Sequence, residues 1–169
     1  RSRTKIHRDD FRLRQFLAIH IDVGTAVRTA RRFGGEHQRG AASLGRSAHD
    51  RKKMAVLQSG GRNAVTHYTV QRRFGPAAKP VAARVACRLE TGRTHQIRVH
   101  MAHFGHPLVG DSLYAGPMTL GIDRQALHAF RLSFEHPITG KPLKFEAPLP
   151  EDMVHLLAGL GLKLPESAF

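Results

Sequence analysis

The chain has a single cysteine, Cys87, in 169 residues. No disulfide can close within it, and a reducing compartment suits it. Cys87 alternates with Val85 and Leu89, which reads as a buried structural thiol and not as a nucleophile. Nor is there an apolar run long enough to span a bilayer, or a basic amphipathic helix with aromatic anchors, so membrane attachment is not expected. The opening "RSRTKIHRDDF" carries charges and no apolar h-region, so it does not read as a secretory leader. The lack of an initiating Met predicts that the natural amino terminus lies upstream. There is no G-x-S-x-G elbow for acyl transfer, and "FGGEHQRG" neither ends in the GK[ST] of a P-loop nor follows a strand as a dinucleotide fingerprint does. Hydrolysis by a serine or thiol nucleophile and nucleotide-cofactor chemistry are therefore set aside. Acids are scarce as well: 13 Asp and Glu face 27 Lys and Arg, a net charge of +14. A surplus of that size draws polyanions toward the surface by long-range attraction. RNA or DNA is favoured as partner over a merely solvated basic surface.

What is present is ordinary for one folded domain, at 41% hydrophobic and 24% charged residues. "AVTHYTVQRRF", 64–74, has the β-branched and aromatic content of a strand, and Gly75-Pro76 ends it. From Val81 the alternation is cleaner, with Val81, Ala83, Val85, Cys87 and Leu89 on one face and Ala82, Arg84, Ala86, Arg88 and Glu90 on the other. Thr91-Gly92-Arg93 breaks it. Thr94 is then placed to cap a helix through "HQIRVHMAHFG", with Gly105 as its stop and Pro107 beyond. Ile97, Met101 and Phe104 recur at helical spacing and should face a core. "QALHAFRLSFEHP" alternates again through Phe130, Leu132 and Phe134; "ITGK" makes a turn, "PLKFEAP" a partner strand, and "PEDMVHLLAGL" a helix with acids in its first turn. The fold class is α+β, with a mainly antiparallel sheet and few helices. The first forty residues show neither period, and arginine is scattered through them.

Four histidines, His95, His100, His103 and His106, raise the question of a metal. Their spacing spreads the rings around a helix and lacks the paired ligands of a zinc site, so none is expected. The basic constellation is the stronger signal. "GRSAHDRKKM" offers Arg46, Arg51, Lys52 and Lys53 in a loop, and Arg93 follows a glycine that lets backbone approach a phosphate. Arg98 lies at the edge of the helix's apolar stripe, where a guanidinium needs a buried counter-charge. A carboxylate partner is expected.

The stretch "RLETGRTHQIRVHMAHFGHPLVGDSLYAG", Arg88 to Gly116, resembles the signature of the RluA-type pseudouridine synthases, close to L-x-T-G-R-T-H-Q-I-R-V-H followed by G-H-P-[IL]-x-G-D-x-x-Y-G. "GRSAHDRKKMAV", "AVTHY" and "DRQALHAFRLSFEHPITGKPLKFEAPLPEDM" also resemble the RluD-like branch, which modifies uridines of large-subunit ribosomal RNA. The resemblance runs from about Leu44 to about Leu157. It implies a mixed, mainly antiparallel sheet flanked by helices and loops, with an RNA cleft into which the target uridine is flipped. It implies isomerisation of uridine to pseudouridine in 23S rRNA by a cytoplasmic monomer, without metal or cofactor. Residue by residue, Arg98 matches the arginine that pairs with the catalytic aspartate, Ile97 would line the base pocket, and Arg93, His95 and Gln96 would orient the cleft and its RNA contacts. Arg46, Arg51, Lys52 and Lys53 would hold RNA. Asp111 reads as structural, closing the loop after the helix, with Tyr114 beside it.

The family's nucleophile segment, H-R-L-D-x-x-T-S-G, has no full match, and its R-x-Y segment is absent from "RLRQFLAIHIDVG". His7-Arg8-Asp9-Asp10 matches H-R-x-D and makes Asp10 the candidate nucleophile, but "FRLRQF" follows where the turn should be. Either Asp10 is a displaced nucleophile, or residues 1–40 are an irregular or truncated remnant ahead of the carboxy-terminal part of a catalytic domain, 41–169. The patternless opening favours the second, and with it an RNA-binding synthase fold of weak or absent activity. The alternative function is RNA binding through the same cleft without chemistry.

Overall fold

A computed structural model describes residues 20–26 and 37–162. Its centre is the hairpin that the alternation predicts, β4 (Arg62–Phe74) against β5 (Ala82–Leu89). The register runs from Thr66 opposite Leu89 to Phe74 opposite Ala82, with a bulge between Val70 and Arg72. Val85, Cys87 and Leu89 are buried on one face, as the period of two requires. Val81 is not: it is 50% exposed, because the strand begins one residue later and the Val81 N–H closes the turn onto the Phe74 carbonyl.

Around this hairpin the described strands form one seven-stranded sheet in which every pairing is antiparallel. On one side lie β2 (His37–Arg46) and β3 (Met54–Leu57); on the other lie β1 (His20–Ala26), β6 (Leu127–Glu135) and β7 (Pro142–Glu146). The order is β3-β2-β4-β5-β1-β6-β7. Two parts of the opening that show no sequence period are thus strands, and β2 runs across residue 40. A strand paired on both edges is held by backbone hydrogen bonds, which need no side-chain pattern. Asp10 lies outside the described residues.

Helix α1 (Gln96–His103) lies on this sheet, with Ile97, Met101 and the later Leu108 packed among Tyr68, Val85, Cys87 and Leu89. Val99 joins Leu44 and Ala64 in a second cluster. At eight residues the helix is too short to persist alone, so this burial holds it in place. Gly105, at φ 83°, ends it in the left-handed region that glycine favours. Its start differs from expectation: His95 is the N-cap, no side chain caps it, and Thr94 is exposed in the preceding turn. Helix α2 (Glu151–Gly159) carries Glu151 and Asp152 in its first turn and buries Met153 and Leu156 against Val109, Ile122 and Ala126. Arg124 ties its start to the loop before β6 through Asp152, at 2.7 Å. Phe130, Leu132 and Phe134 are only part-buried, on a strand one place from the sheet's end, and Phe134 stacks on Phe145 of β7.

Candidate active site

The turn Thr91-Gly92-Arg93 is held to the sheet by one glutamine. Thr91 Oγ1 accepts from the Val65 N–H at 2.9 Å and donates to Gln96 Oε1 at 2.8 Å, and the Arg93 N–H donates to the same oxygen at 3.0 Å. With Oε1 committed as acceptor, Nε2 donates to the Val65 carbonyl and to Thr66 Oγ1, both at 3.0 Å. Gln96 is 3% exposed, so a side chain expected to contact RNA spends its polar groups inside the protein. Those groups hold the turn to β4. His95, between the turn and α1, sits at φ 56° and ψ 18°, a left-handed conformation costing about 1 kcal/mol outside glycine.

One turn into α1, Arg98 finds the carboxylate its position demands. Nε donates to Asp111 Oδ2 and Nη2 to Oδ1, each at 2.8 Å, a two-point pairing of planar groups. The side chains are 13% and 0% exposed, respectively. Hydrogen bonding to Asp111 pushes the Arg98 guanidinium above its usual range. Asp111 does more than close the loop: it is Arg98's partner among the described residues and also accepts from the Tyr114 N–H. The loop can deliver it only because residue 116 is glycine, since a Cβ there would run into the Leu108 carbonyl oxygen.

Tyr114, in a 3-10 turn over Ser112–Tyr114, joins the parts. Its ring lies under the Arg98 guanidinium, 4.9 Å from centroid to carbon. Its hydroxyl accepts from the Met54 N–H and meets His95 Nδ1, both at 2.9 Å. Burial raises the Tyr114 phenol and lowers the His95 imidazole, the latter helped by Arg98 and opposed by Asp111.

These groups border a cleft of about 340 Å³, within the range of small-molecule sites. Leu89, Ile97 and Leu127 make its apolar wall, and Arg93, His95, Arg98 and Gln125 bring polar groups to it. Arg93, His95, Gln96, Ile97 and Arg98 therefore converge as expected. Arg46, Arg51, Lys52 and Lys53 do not line the cleft; they form a neighbouring turn in which Arg46 Nη1 donates to the Arg51 carbonyl at 3.0 Å and Lys53 approaches Asp50 at 3.7 Å. Met54, at the end of that turn, is its link to Tyr114. Asp111, Tyr114, Leu89, Gln125 and Leu127 went unassigned as site residues in the sequence, where only the G-D-x-x-Y spacing singled out the first two. Of the four histidines, His100 is buried at 3.0 Å from Thr66 Oγ1, and among the described residues no group of three or more His, Cys, Asp or Glu is placed for a metal. No described helix is long and apolar enough to cross a membrane.

The architecture is the pseudouridylate synthase fold. Human RNA pseudouridylate synthase domain containing 1 matches with a TM-score of 0.64 at 24% identity over 79% of this chain and 55% of that one. Human RNA pseudouridylate synthase domain containing 4 matches at 0.63 and 21%, over 89% and 64%. Residues 16–103 match the RNA pseudouridylate synthase family, and the chain belongs to that family. Among curated relatives, ribosomal large subunit pseudouridine synthase D of Neisseria meningitidis serogroup A is 48% identical over 132 residues, 71% of this chain and 34% of the relative. The protein of the same name in Xanthomonas campestris is 42% identical over 160 residues, 87% and 44%. The uncharacterized RNA pseudouridine synthase YlyB of Bacillus subtilis is 50% identical over 119 residues, 70% and 37%. The chain thus spans less than half the length of these relatives.

Proposed function

We propose that this chain carries the uridine site of a pseudouridine synthase acting on large-subunit ribosomal RNA in the cytoplasm, as a monomer and without metal or cofactor. The observation that carries the reading is the two-point Arg98–Asp111 pair at a partly apolar cleft with room for a nucleobase, beside a basic turn. The names of the curated relatives support the substrate. A uridine flipped from the RNA would lay its base against Leu89, Ile97 and Leu127, while Arg93 and the turn bearing Arg46, Arg51, Lys52 and Lys53 hold phosphates. The reaction breaks the bond from the sugar to the uracil nitrogen, turns the base, and joins the sugar to a ring carbon. The proton displaced from that carbon is replaced by one on the freed nitrogen. Asp111 is not the group that attacks: it is fully buried and both its oxygens accept from Arg98. Its part is to fix Arg98 at the cleft, ready for the carboxylate that attacks or assists at the sugar. Asp10 is the candidate for that carboxylate on its H-R-x-D match.

A second reading, RNA binding in the same cleft without chemistry, is favoured by the lack of a full H-R-L-D-x-x-T-S-G in this sequence. Incubating the chain with a 23S rRNA fragment and mapping pseudouridine separates the two. Conversion that persists in chelator and is lost in Asp10→Ala and Arg98→Ala supports the synthase. Tight RNA binding with no conversion, where a complete relative converts the same fragment, supports binding alone.

A further inference from the structure

The one polar ring on the cleft wall has its proton placed by its neighbours. The Tyr114 hydroxyl accepts from the Met54 N–H, so its own hydrogen needs an acceptor. Among the described residues the group within reach is His95 Nδ1, at 2.9 Å. Burial and the nearby Arg98 charge, against Asp111, favour the neutral imidazole, whose Nδ1 can accept. With the Tyr114 hydrogen given to Nδ1, the ring hydrogen sits on Nε2, the nitrogen away from Tyr114, on a side chain that lines the cleft and is only part-buried. Of the other polar side chains of the lining, Gln125 carries an amide that can donate or accept. Gln96 is fully engaged, Arg98 is clamped by Asp111, Arg93 can only donate, and no acid lines the cleft. The backbone adds a second observation: His95 sits in a left-handed conformation, uncommon outside glycine, and such conformations collect where a side chain must be aimed.

We infer that His95 is a base-reading residue: its Nε2–H donates to a carbonyl oxygen of the bound pyrimidine, so that the cleft prefers uracil, with two carbonyls, to cytosine, with one carbonyl and an amino group. The inference rests on the cleft being the base site proposed above. Tyr114 is the positioning residue, since its hydroxyl sets the tautomer and ties the ring to the start of β3.

Uridine 5′-monophosphate and cytidine 5′-monophosphate, titrated into the folded chain and followed by NMR of histidine ring nitrogens and leucine and isoleucine methyls, test it. The expected result is an Nε2–H tautomer for His95 at neutral pH. Both nucleotides shift Ile97 and Leu89, with uridine bound about tenfold more tightly. His95→Gly accepts the left-handed backbone, so it keeps the methyl spectrum of the fold while the uridine preference disappears. Tyr114→Phe keeps the ring under Arg98 and loses the fixed tautomer. An Nδ1–H tautomer in the original chain, equal affinity for the two nucleotides, or a preference that survives His95→Gly overturns the inference alone. Silent methyls with both nucleotides overturn the base site itself, and this inference with it.

Discussion

At the residue scale the site rests on one ion pair whose worth lies in its completeness. A buried pair is expensive to half-remove, because the survivor keeps its charge without compensation. Asp111→Asn should therefore destabilise the chain by about 3 kcal/mol in urea titrations, whereas Arg98→Met combined with Asp111→Leu should recover much of that loss. His100 gives a pH signature of its own. Burial first, then the His103 charge, lowers it from 6.5 to about 4. Above pH 6.5 both folded and unfolded chains leave it neutral, and stability is full. As pH falls toward 4 only the unfolded chain takes up the proton, so stability declines by about 3 kcal/mol and then levels. Denaturation midpoints at pH 7.5, 6 and 5 should show this slope, and His100→Gln should flatten it. Some slope will remain, since burial also lowers His106.

At the element scale, α1 depends on a close approach to β2. A Cβ on Gly40 would stand 2.5 Å from Phe104 Cζ, so Gly40→Ala must push the ring aside. A loss of about 1 kcal/mol is expected, read as a lower Tm with the sheet's circular dichroism unchanged. This packing also shows what the sequence made legible. β4, β5, α1, β6, β7 and α2 announce themselves through composition, period and punctuation, most clearly β5 and α2, which bury one face and expose the other. The start of α1 does not: a threonine looks like a cap, but the cleft needs His95 turned toward Tyr114, and that tertiary demand overrides the local preference. Arg98's need for a carboxylate was legible from its position, yet the identity of the partner was not. Asp111 reaches it through a loop whose path depends on close approaches at Gly116, and hydrophobic period carries no record of such a path.

At the scale of the whole molecule the net charge of +14 should show in the salt dependence of RNA binding. Each phosphate neutralised contributes about 0.7 to the slope of log affinity against log salt for single strands. Arg51 and Lys52 are exposed and form no ion pair among the described residues, whereas Lys53 leans on Asp50. Arg51→Gln with Lys52→Gln should therefore lower the slope by about 1.4, measured by fluorescence anisotropy from 50 to 300 mM salt, while Lys53→Gln alone changes it less. β1 has a consequence that belongs to time rather than to shape. It pairs residue 20 with residue 88 on one edge and with residue 131 on the other, so both neighbours are made long after it. Contacts so distant along the chain close slowly, and refolding belongs on the millisecond-to-second scale of non-local sheets. During synthesis this strand leaves the ribosome with both edges bare and waits for most of the domain to follow. An interior strand of the finished sheet is thus the part of the nascent protein most open to pairing with the wrong chain.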